Sequence, residues 1–118
     1  LIDDIIASLR ESVRKAVDAG VGEGNIIVDP GFGFGKTAAQ NLTILKELVR
    51  FLEIGRPLLI GTSQKSFVGA VTGSGDRLEG TAATVAIGII NGASIVRVHD
   101  VGYMKKVALM ADAVKNVN

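Results

Sequence analysis

Three short apolar runs, each followed by a segment of helical periodicity, constrain the fold of this chain most. The runs are residues 25–29, 57–61 and 94–98. Their length and their content of Ile, Val and Leu predict buried strands. Because parallel neighbours need a crossover connection, strands that alternate with helices predict an α/β fold with a parallel sheet.

The connecting segments show the apolar spacing of helices. Helices are predicted over residues 2–19, about 37–52, 79–91 and 101–116. In the second helix the predicted inward-facing residues are Leu42, Leu45, Leu48, Val49 and Leu52. Residues 30–35 are predicted to be a loop, and a Gly-rich polar stretch runs through Arg77.

Composition excludes several classes of protein. The 118 residues suit one domain, and 47% hydrophobic with 21% charged residues is typical of a globular chain. A net charge of +1 gives no reason to expect a nucleic-acid or membrane partner. No apolar run approaches the ~18 residues of a membrane span, and no signal peptide is recognisable. The absence of Cys excludes disulfides and is consistent with a reducing cytoplasm. Because the chain begins with a helix and without Met, we expect it to be part of something longer.

A doubly wound sheet and a (β/α)8 barrel both satisfy this alternation. Polar residues follow all three predicted strands: Asp29, then Ser63, Lys65 and Ser66, then Arg97, His99 and Asp100. Barrel enzymes draw their sites from the carboxyl ends of several strands and often bind phosphate after the last two. The pattern therefore favours a barrel, although three units cannot close one.

The Gly-rich segment after the first strand first suggests a nucleotide site. A phosphate-binding P-loop would need Gly at the position of Pro30, which has no N–H to donate, so that interpretation fails. The spacing Gly33-x-Gly35-x-x-Ala38 fits the dinucleotide fingerprint only loosely. Asp29 at the strand end points instead to a ligand with two donors, or to a cap on the turn before Pro30.

Other polar residues carry a functional interpretation, a structural one, or both. His99, the only histidine, stands beside Arg97 at a strand end, where both could bind an anion. Ser63 is either a helix N-cap or a ligand. Asp100 is predicted to cap the last helix. Gly80-Thr81 either offers amide donors or simply ends a loop.

Three motifs in this order resemble the dihydropteroate synthases. They are Asp-Pro-Gly-Phe-Gly-Phe-Gly-Lys-Thr at 29–37, Ser-x-Lys-Ser-Phe at 63–67 and Arg-Val-His-Asp at 97–100. The resemblance covers all 118 residues. It implies a (β/α)8 TIM barrel, to which residues 1–118 would contribute strands six to eight, their helices and the helix before strand six, as the C-terminal portion of one pterin-binding domain.

The resemblance also implies a reaction, the condensation of a pterin diphosphate with p-aminobenzoate in folate synthesis. Asp29 would bind the amino and ring N–H groups of the pterin. Lys65 would contact the pterin and lie between the two substrates. Ser66 would meet the carboxylate of p-aminobenzoate and Phe34 would pack on its ring. Arg97 and His99 would hold the leaving diphosphate, so Lys65, Arg97 and His99 are the predicted catalytic residues.

Further expectations follow from the same resemblance. Mg²⁺ would accompany the diphosphate, with ligands outside this segment, and the complete protein would be a homodimer that sulfonamides target. The N-terminal remainder of the barrel would be the other partner. The family usually has Arg where this chain has Gln64, so one cation is missing. Two alternatives remain: a pterin-binding methyltransferase, which needs no diphosphate site, and a non-catalytic fragment that acts only by association.

Overall fold

The computed structural model describes residues 1–73 and 75–118 as alternating helices and short parallel strands. In chain order the elements are helix α1 (Ile2–Asp18), a 3₁₀ turn (Glu23–Asn25), helix α2 (Ala38–Lys46), a 3₁₀ helix (Leu48–Ile54), strand β1 (Leu59–Ile60), helix α3 (Ser66–Thr72), helix α4 (Leu78–Ile90), strand β2 (Ile95–Val96) and helix α5 (Val101–Asn116). Within the described ranges, each helix is too short or too polar to cross a bilayer.

The sheet is parallel, as predicted, but shorter than predicted. Leu59 pairs with Ile95 and Ile60 with Val96. The first predicted strand contributes one parallel bridge, from Val28 to Leu58. The order is therefore Val28, β1, β2, with β1 in the centre. Within the described part of the chain, Val28 and β2 each have a strand partner on one side only. Parallel pairing is therefore limited to the residues that face the central strand.

Helix α2 ends earlier than its periodicity predicts. It begins at a capping box, in which Thr37 and Gln40 each bind the other's backbone N–H. It stops at Lys46, and the chain continues as the 3₁₀ helix. A 3₁₀ helix has three residues per turn, so the buried face shifts relative to an α-helix.

The inward face predicted for this segment was accordingly wrong in part. Leu45 and Leu48 are buried as predicted, whereas Leu42, Val49 and Leu52 are exposed. Ile44 and Phe51 occupy the core in their place. The buried stripe of the helix starts at a polar residue, Asn41, which an apolar pattern does not reveal.

Helix α3 lies where the sequence predicts a Gly-rich polar stretch, and only the possible N-cap at Ser63 pointed to a helix there. Its buried residues are Phe67 and Val68, and the Phe67 ring stacks on Phe32 with centroids 5.8 Å apart. Gly69 and Gly73 belong to the same stretch and hide the helical signal. Residue 74 of that stretch lies outside the described residues.

Two apolar clusters hold the helices on the sheet. The larger one joins α1, α2, the 3₁₀ helix, β1 and α3, and the smaller one lies between α4 and α5. Helix α4 comes closest to the sheet at Gly88, where an added Cβ would be 2.1 Å from the Cδ1 atom of Ile60. The helices are thereby fixed on the sheet, and its carboxyl end is left to the polar residues.

Candidate active site

A polar cavity of about 420 Å³ opens at the carboxyl ends of β1 and β2. It is lined by Gly61, Ser63, Lys65, Arg97, Val98 and His99. Three of the predicted site residues, Lys65, Arg97 and His99, therefore meet here. Asp29, Phe34 and Ser66 lie outside the lining of this cavity.

The strand register brings the two sides of the cavity together. Leu59 faces Ile95 in the ladder, and Ser63 and His99 keep the same separation of 36 residues. Gly61 and Arg97 are related in the same way. The Arg97 guanidinium lies directly over Gly61, where an added Cβ would be 2.5 Å from Nη2. Gly61 is thus required for the position of Arg97, which the sequence reading did not recognise.

Ser63 orients the imidazole of His99. The Ser63 Oγ atom is 2.7 Å from Nδ1 of His99 and accepts the backbone N–H of His99 at 3.1 Å. Because Oγ accepts that N–H, its own hydrogen can be donated to Nδ1, and the imidazole proton is then carried on Nε2. Ser63 is not a helix N-cap, since α3 begins at Ser66 with Lys65 as its N-cap.

Residues 31–35 form a loop beside the cavity, which we call the aromatic loop. Gly31, Gly33, Phe34 and Gly35 all have positive φ angles, of 81°, 85°, 46° and 80°. Asp29 Oδ1 accepts the Gly31 N–H at 2.8 Å, and Asn41 Oδ1 accepts the Gly33 N–H at 2.9 Å. These two amides are already bonded within the protein, which argues against the dinucleotide interpretation, in which the loop would offer them to a phosphate.

Lys65 connects the aromatic loop to the cavity. Its Nζ atom donates to the carbonyl of Phe32 at 3.1 Å and lies 4.7 Å from the centroid of the Phe34 ring. The Phe34 ring is 78% exposed. An ammonium over an aromatic face is attracted by the ring quadrupole, so Lys65 and Phe34 hold each other in place.

Asp29 and Ser66 lie at the same end of the sheet. Asp29 is half-buried and uses Oδ1 for the turn, while Oδ2 makes no hydrogen bond within residues 1–73 and 75–118. The turn-capping interpretation is therefore correct for one oxygen, and the second oxygen remains available to a ligand. Ser66 is exposed at the first residue of α3.

The turn before α3 is held through its backbone. Gln64 has a φ of 56°, its N–H is accepted by Thr81 Oγ1 at 3.1 Å, and its carbonyl accepts Arg77 Nη1 at 2.7 Å. The Gln64 side chain is not needed for these bonds. Thr81 thus supports the turn, and Asp100 caps α5 as predicted by accepting the Tyr103 N–H at 3.2 Å.

The charge of the cavity suits an anion. Lys65, Arg97 and His99 line it, and its lining contains no carboxylate. Among the described residues, no group of three or more His, Asp or Glu side chains is placed to hold a metal ion. The arrangement can therefore bind and neutralise a multiply charged anion.

The comparison with protein families gives the class. The model for the family described as "Pterin binding enzyme" matches residues 1–99. The chain belongs to the pterin-binding enzyme family.

Individual relatives narrow the similarity. The chain is 48% identical over 118 residues to the dihydropteroate synthase of Bacillus subtilis, across 98% of this chain and 41% of that protein. It matches a solved dihydropteroate synthase of Clostridium difficile, determined in the presence of pteroic acid, at 41% identity and a TM-score of 0.95, covering 98% of this chain and 45% of the other. The Coxiella burnetii enzyme in complex with pteroic acid matches at 35% identity with the same TM-score and coverage.

These matches show the type of fold to which the chain belongs. The chain spans less than half the length of these relatives. Its solved neighbours are TIM barrels, so its parallel strands and outer helices are part of a barrel of that kind.

Proposed function

We propose that the complete protein is a dihydropteroate synthase and that this chain contributes strands six to eight with the preceding helix. The enzyme would join 6-hydroxymethyl-7,8-dihydropterin diphosphate to p-aminobenzoate, giving 7,8-dihydropteroate and diphosphate. The observation that carries the proposal is the placement of Lys65, between the Arg97–His99 pair and the aromatic loop. This arrangement suits an anionic leaving group on one side and an aromatic nucleophile on the other.

The reaction breaks one bond and forms one. The bond from the pterin methylene carbon to the diphosphate oxygen breaks, and its electron pair leaves with the diphosphate. The amine nitrogen of p-aminobenzoate supplies the pair for the new C–N bond and then loses a proton. Arg97 and the Nε2–H group of His99 would stabilise the negative charge that develops on the leaving group.

The pterin would bind through Asp29 and Lys65. An aminopyrimidinone edge presents a ring N–H and an exocyclic amine, and a carboxylate accepts such a pair of donors well. In support, Asp29 Oδ2 is free of hydrogen bonds within the described part of the chain, at the end of the sheet where Lys65 also lies.

The second substrate would bind against Phe34, Ser66 and Lys65. The exposed Phe34 ring offers a stacking surface, and the Ser66 hydroxyl offers a donor for the carboxylate. Sulfonamides share the aniline ring of p-aminobenzoate, so we expect them to compete at this end of the site.

Mg²⁺ would enter with the diphosphate rather than occupy a site made by this segment. The cavity is lined by basic side chains, which suit the phosphate oxygens and not the cation. Ligands from the protein would therefore come from outside this segment. We also expect the complete protein to be cytoplasmic.

The complete protein would be a homodimer through the outer face of α4 and α5. Ile87, Ile90, Met110 and Val114 line an apolar groove of about 640 Å³ there. The opposite face of α4 packs on the sheet at Gly88, so further strands added at the sheet edges would not cover the groove. A second copy of the protein would cover the groove. Ultracentrifugation of the complete protein should show a dimer that Met110→Glu dissociates and that Lys105→Glu, on the same helix outside the groove, leaves intact.

Diphosphate binding tests the proposed site. Calorimetry on the complete protein should show that diphosphate binds and competes with the pterin diphosphate. The double variant Arg97→Ala, His99→Ala should bind diphosphate at least tenfold more weakly. Normal diphosphate binding by the double variant would contradict the assignment.

A further inference from the structure

Asn41 is a fully buried polar side chain beside the aromatic loop, and no substrate role accounts for it. Only 2% of its surface is exposed. It lies in the second turn of α2, within the buried stripe that Ile44 and Leu45 continue. Burying a side-chain amide costs free energy unless both its carbonyl oxygen and its NH₂ group are hydrogen-bonded. The two bonds of Asn41 therefore indicate its role.

Those two bonds join the aromatic loop to the start of α2. The Nδ2 atom donates to the Thr37 carbonyl at 3.0 Å, and Oδ1 accepts the Gly33 N–H at 2.9 Å. The reverse orientation of the amide would place Oδ1 against a carbonyl and Nδ2 against an N–H. The orientation is therefore fixed by its partners.

The aromatic loop needs such an anchor. Three of its five residues are glycines, which have many accessible conformations, and Phe34 holds a left-handed φ that is unfavourable for a side-chain-bearing residue. Gly33 lies between the Phe32 carbonyl, which holds Lys65, and the Phe34 ring, over which the Lys65 ammonium lies. Fixing Gly33 fixes both contacts.

We propose that Asn41 is a positioning residue for p-aminobenzoate: by holding the Gly33 N–H it sets the Phe34 ring and the Lys65 ammonium in the geometry that receives the second substrate. This inference rests on the proposed function. It assigns Asn41 a smaller influence on the pterin than on p-aminobenzoate, because the pterin would lose only the positioning of Lys65 and would keep Asp29, which holds its own turn through Gly31.

The test uses the complete protein with Asn41→Leu and a matched control. The control is Asn91→Leu. Asn91 also donates its Nδ2 to a backbone carbonyl of α2, that of Leu45 at 3.0 Å, but it lies at the carboxyl-terminal end of α4. Asn41→Leu should raise the KM for p-aminobenzoate at least tenfold and change the pterin Kd less than threefold. Asn91→Leu should change neither, even where it lowers the Tm as much.

A conservative variant and a second readout complete the design. Asn41→Asp keeps the acceptor for the Gly33 N–H but loses the Nδ2 donor to the Thr37 carbonyl, so its KM for p-aminobenzoate should lie between those of the wild type and Asn41→Leu. Hydrogen exchange of the Gly33 amide should be slow in the wild type and in Asn41→Asp, and fast in Asn41→Leu. This readout does not depend on turnover: a wild type that makes no dihydropteroate would refute the proposed function, while exchange would still test the anchor.

Three results would overturn the inference. They are a Gly33 amide that exchanges equally in the wild type and Asn41→Leu, an equal loss of affinity for both substrates in Asn41→Leu, and the same rise in KM in Asn91→Leu.

Discussion

At the scale of single residues, Asp29 uses one carboxylate oxygen for a turn, and the proposed function gives the other to the pterin. Oδ1 is committed to the Gly31 N–H, and Oδ2 has no hydrogen bond within the described residues. The turn thereby fixes the orientation of the carboxylate. The Ser63 hydroxyl likewise has two partners, the backbone N–H and the ring Nδ1 atom of His99.

The variant Asp29→Asn should weaken pterin binding by about 2–4 kcal/mol, because it removes the charge from a paired, partly buried carboxylate. Calorimetry on the complete protein would measure this. Asp100→Asn is the matched control, since Asp100 caps α5 and Asn caps helices equally well. Unchanged pterin affinity in Asp29→Asn would exclude Asp29 as the pterin ligand.

Gly61→Ala should displace Arg97 without unfolding the protein. The added Cβ would meet the far end of the flexible Arg97 side chain, which can move aside at little cost. We expect diphosphate binding to weaken by about 1.5–3 kcal/mol, the usual contribution of a hydrogen bond to a charged group. Gly24→Ala, where the added Cβ meets nothing within 4 Å, should leave diphosphate affinity unchanged.

If Gly61→Ala lost stability and kept diphosphate affinity, the close approach of Arg97 would be a packing feature only. Thermal unfolding measured beside calorimetry separates the two results.

At the scale of secondary-structure elements, close approach explains how α4 is fixed on the sheet. Gly88 faces the Cδ1 atom of Ile60, and Gly80 faces Val68 of α3, where an added Cβ would be 2.4 Å from Cγ1. Both glycines lie in a helix, where glycine is unfavourable, so their contacts are the reason for them. They bring α4 close enough to β1 and α3 for the Thr81 hydroxyl to accept the Gln64 N–H.

Gly88→Ala should therefore destabilise the complete protein by about 1–3 kcal/mol through overpacking. Gly102→Ala, in α5 with nothing within 4 Å of the added Cβ, should instead stabilise it by about 0.5–1 kcal/mol. Urea unfolding of both variants measures the difference. A Gly88→Ala protein as stable as Gly102→Ala would show that α4 is free to move away from β1.

At the scale of the whole molecule, the sheet is open at both sides. Val28 and β2 pair only with the central strand within the described residues, and the exposed Ile27 lies beside the Val28 bridge. In a closed barrel such edges pair with further strands. The solved relatives, of which this chain spans less than half, have that additional chain.

The 118-residue polypeptide alone should accordingly make no dihydropteroate and should self-associate through its edges. Turnover assays with ultracentrifugation would check both expectations, and adding the remaining strand–helix units, as a separate chain or by fusion, should restore activity. An active, monomeric 118-residue chain would show that these three units suffice.

The sequence by itself determined the order of the elements and the chemistry of the strand ends. Apolar runs, helical periodicity and the residues after each run are local properties, and they predicted α1, α4 and α5 within a residue or two. They also predicted Asp29, Lys65, Arg97 and His99 as site residues, and the last three line one cavity. Local signals failed where structure is set by neighbours: the 3₁₀ winding after α2, the polar start of its buried stripe at Asn41, and α3 with its glycines.

Only the tertiary structure decided which of these residues act together. Ser63 meets His99, and Gly61 makes room for Arg97, because β1 and β2 pair with one particular register. Periodicity does not encode that register, since a shift of one residue would keep both strands apolar. The register brings residues 36 positions apart into one cavity, and α4 packs against β1 where Gly88 meets Ile60.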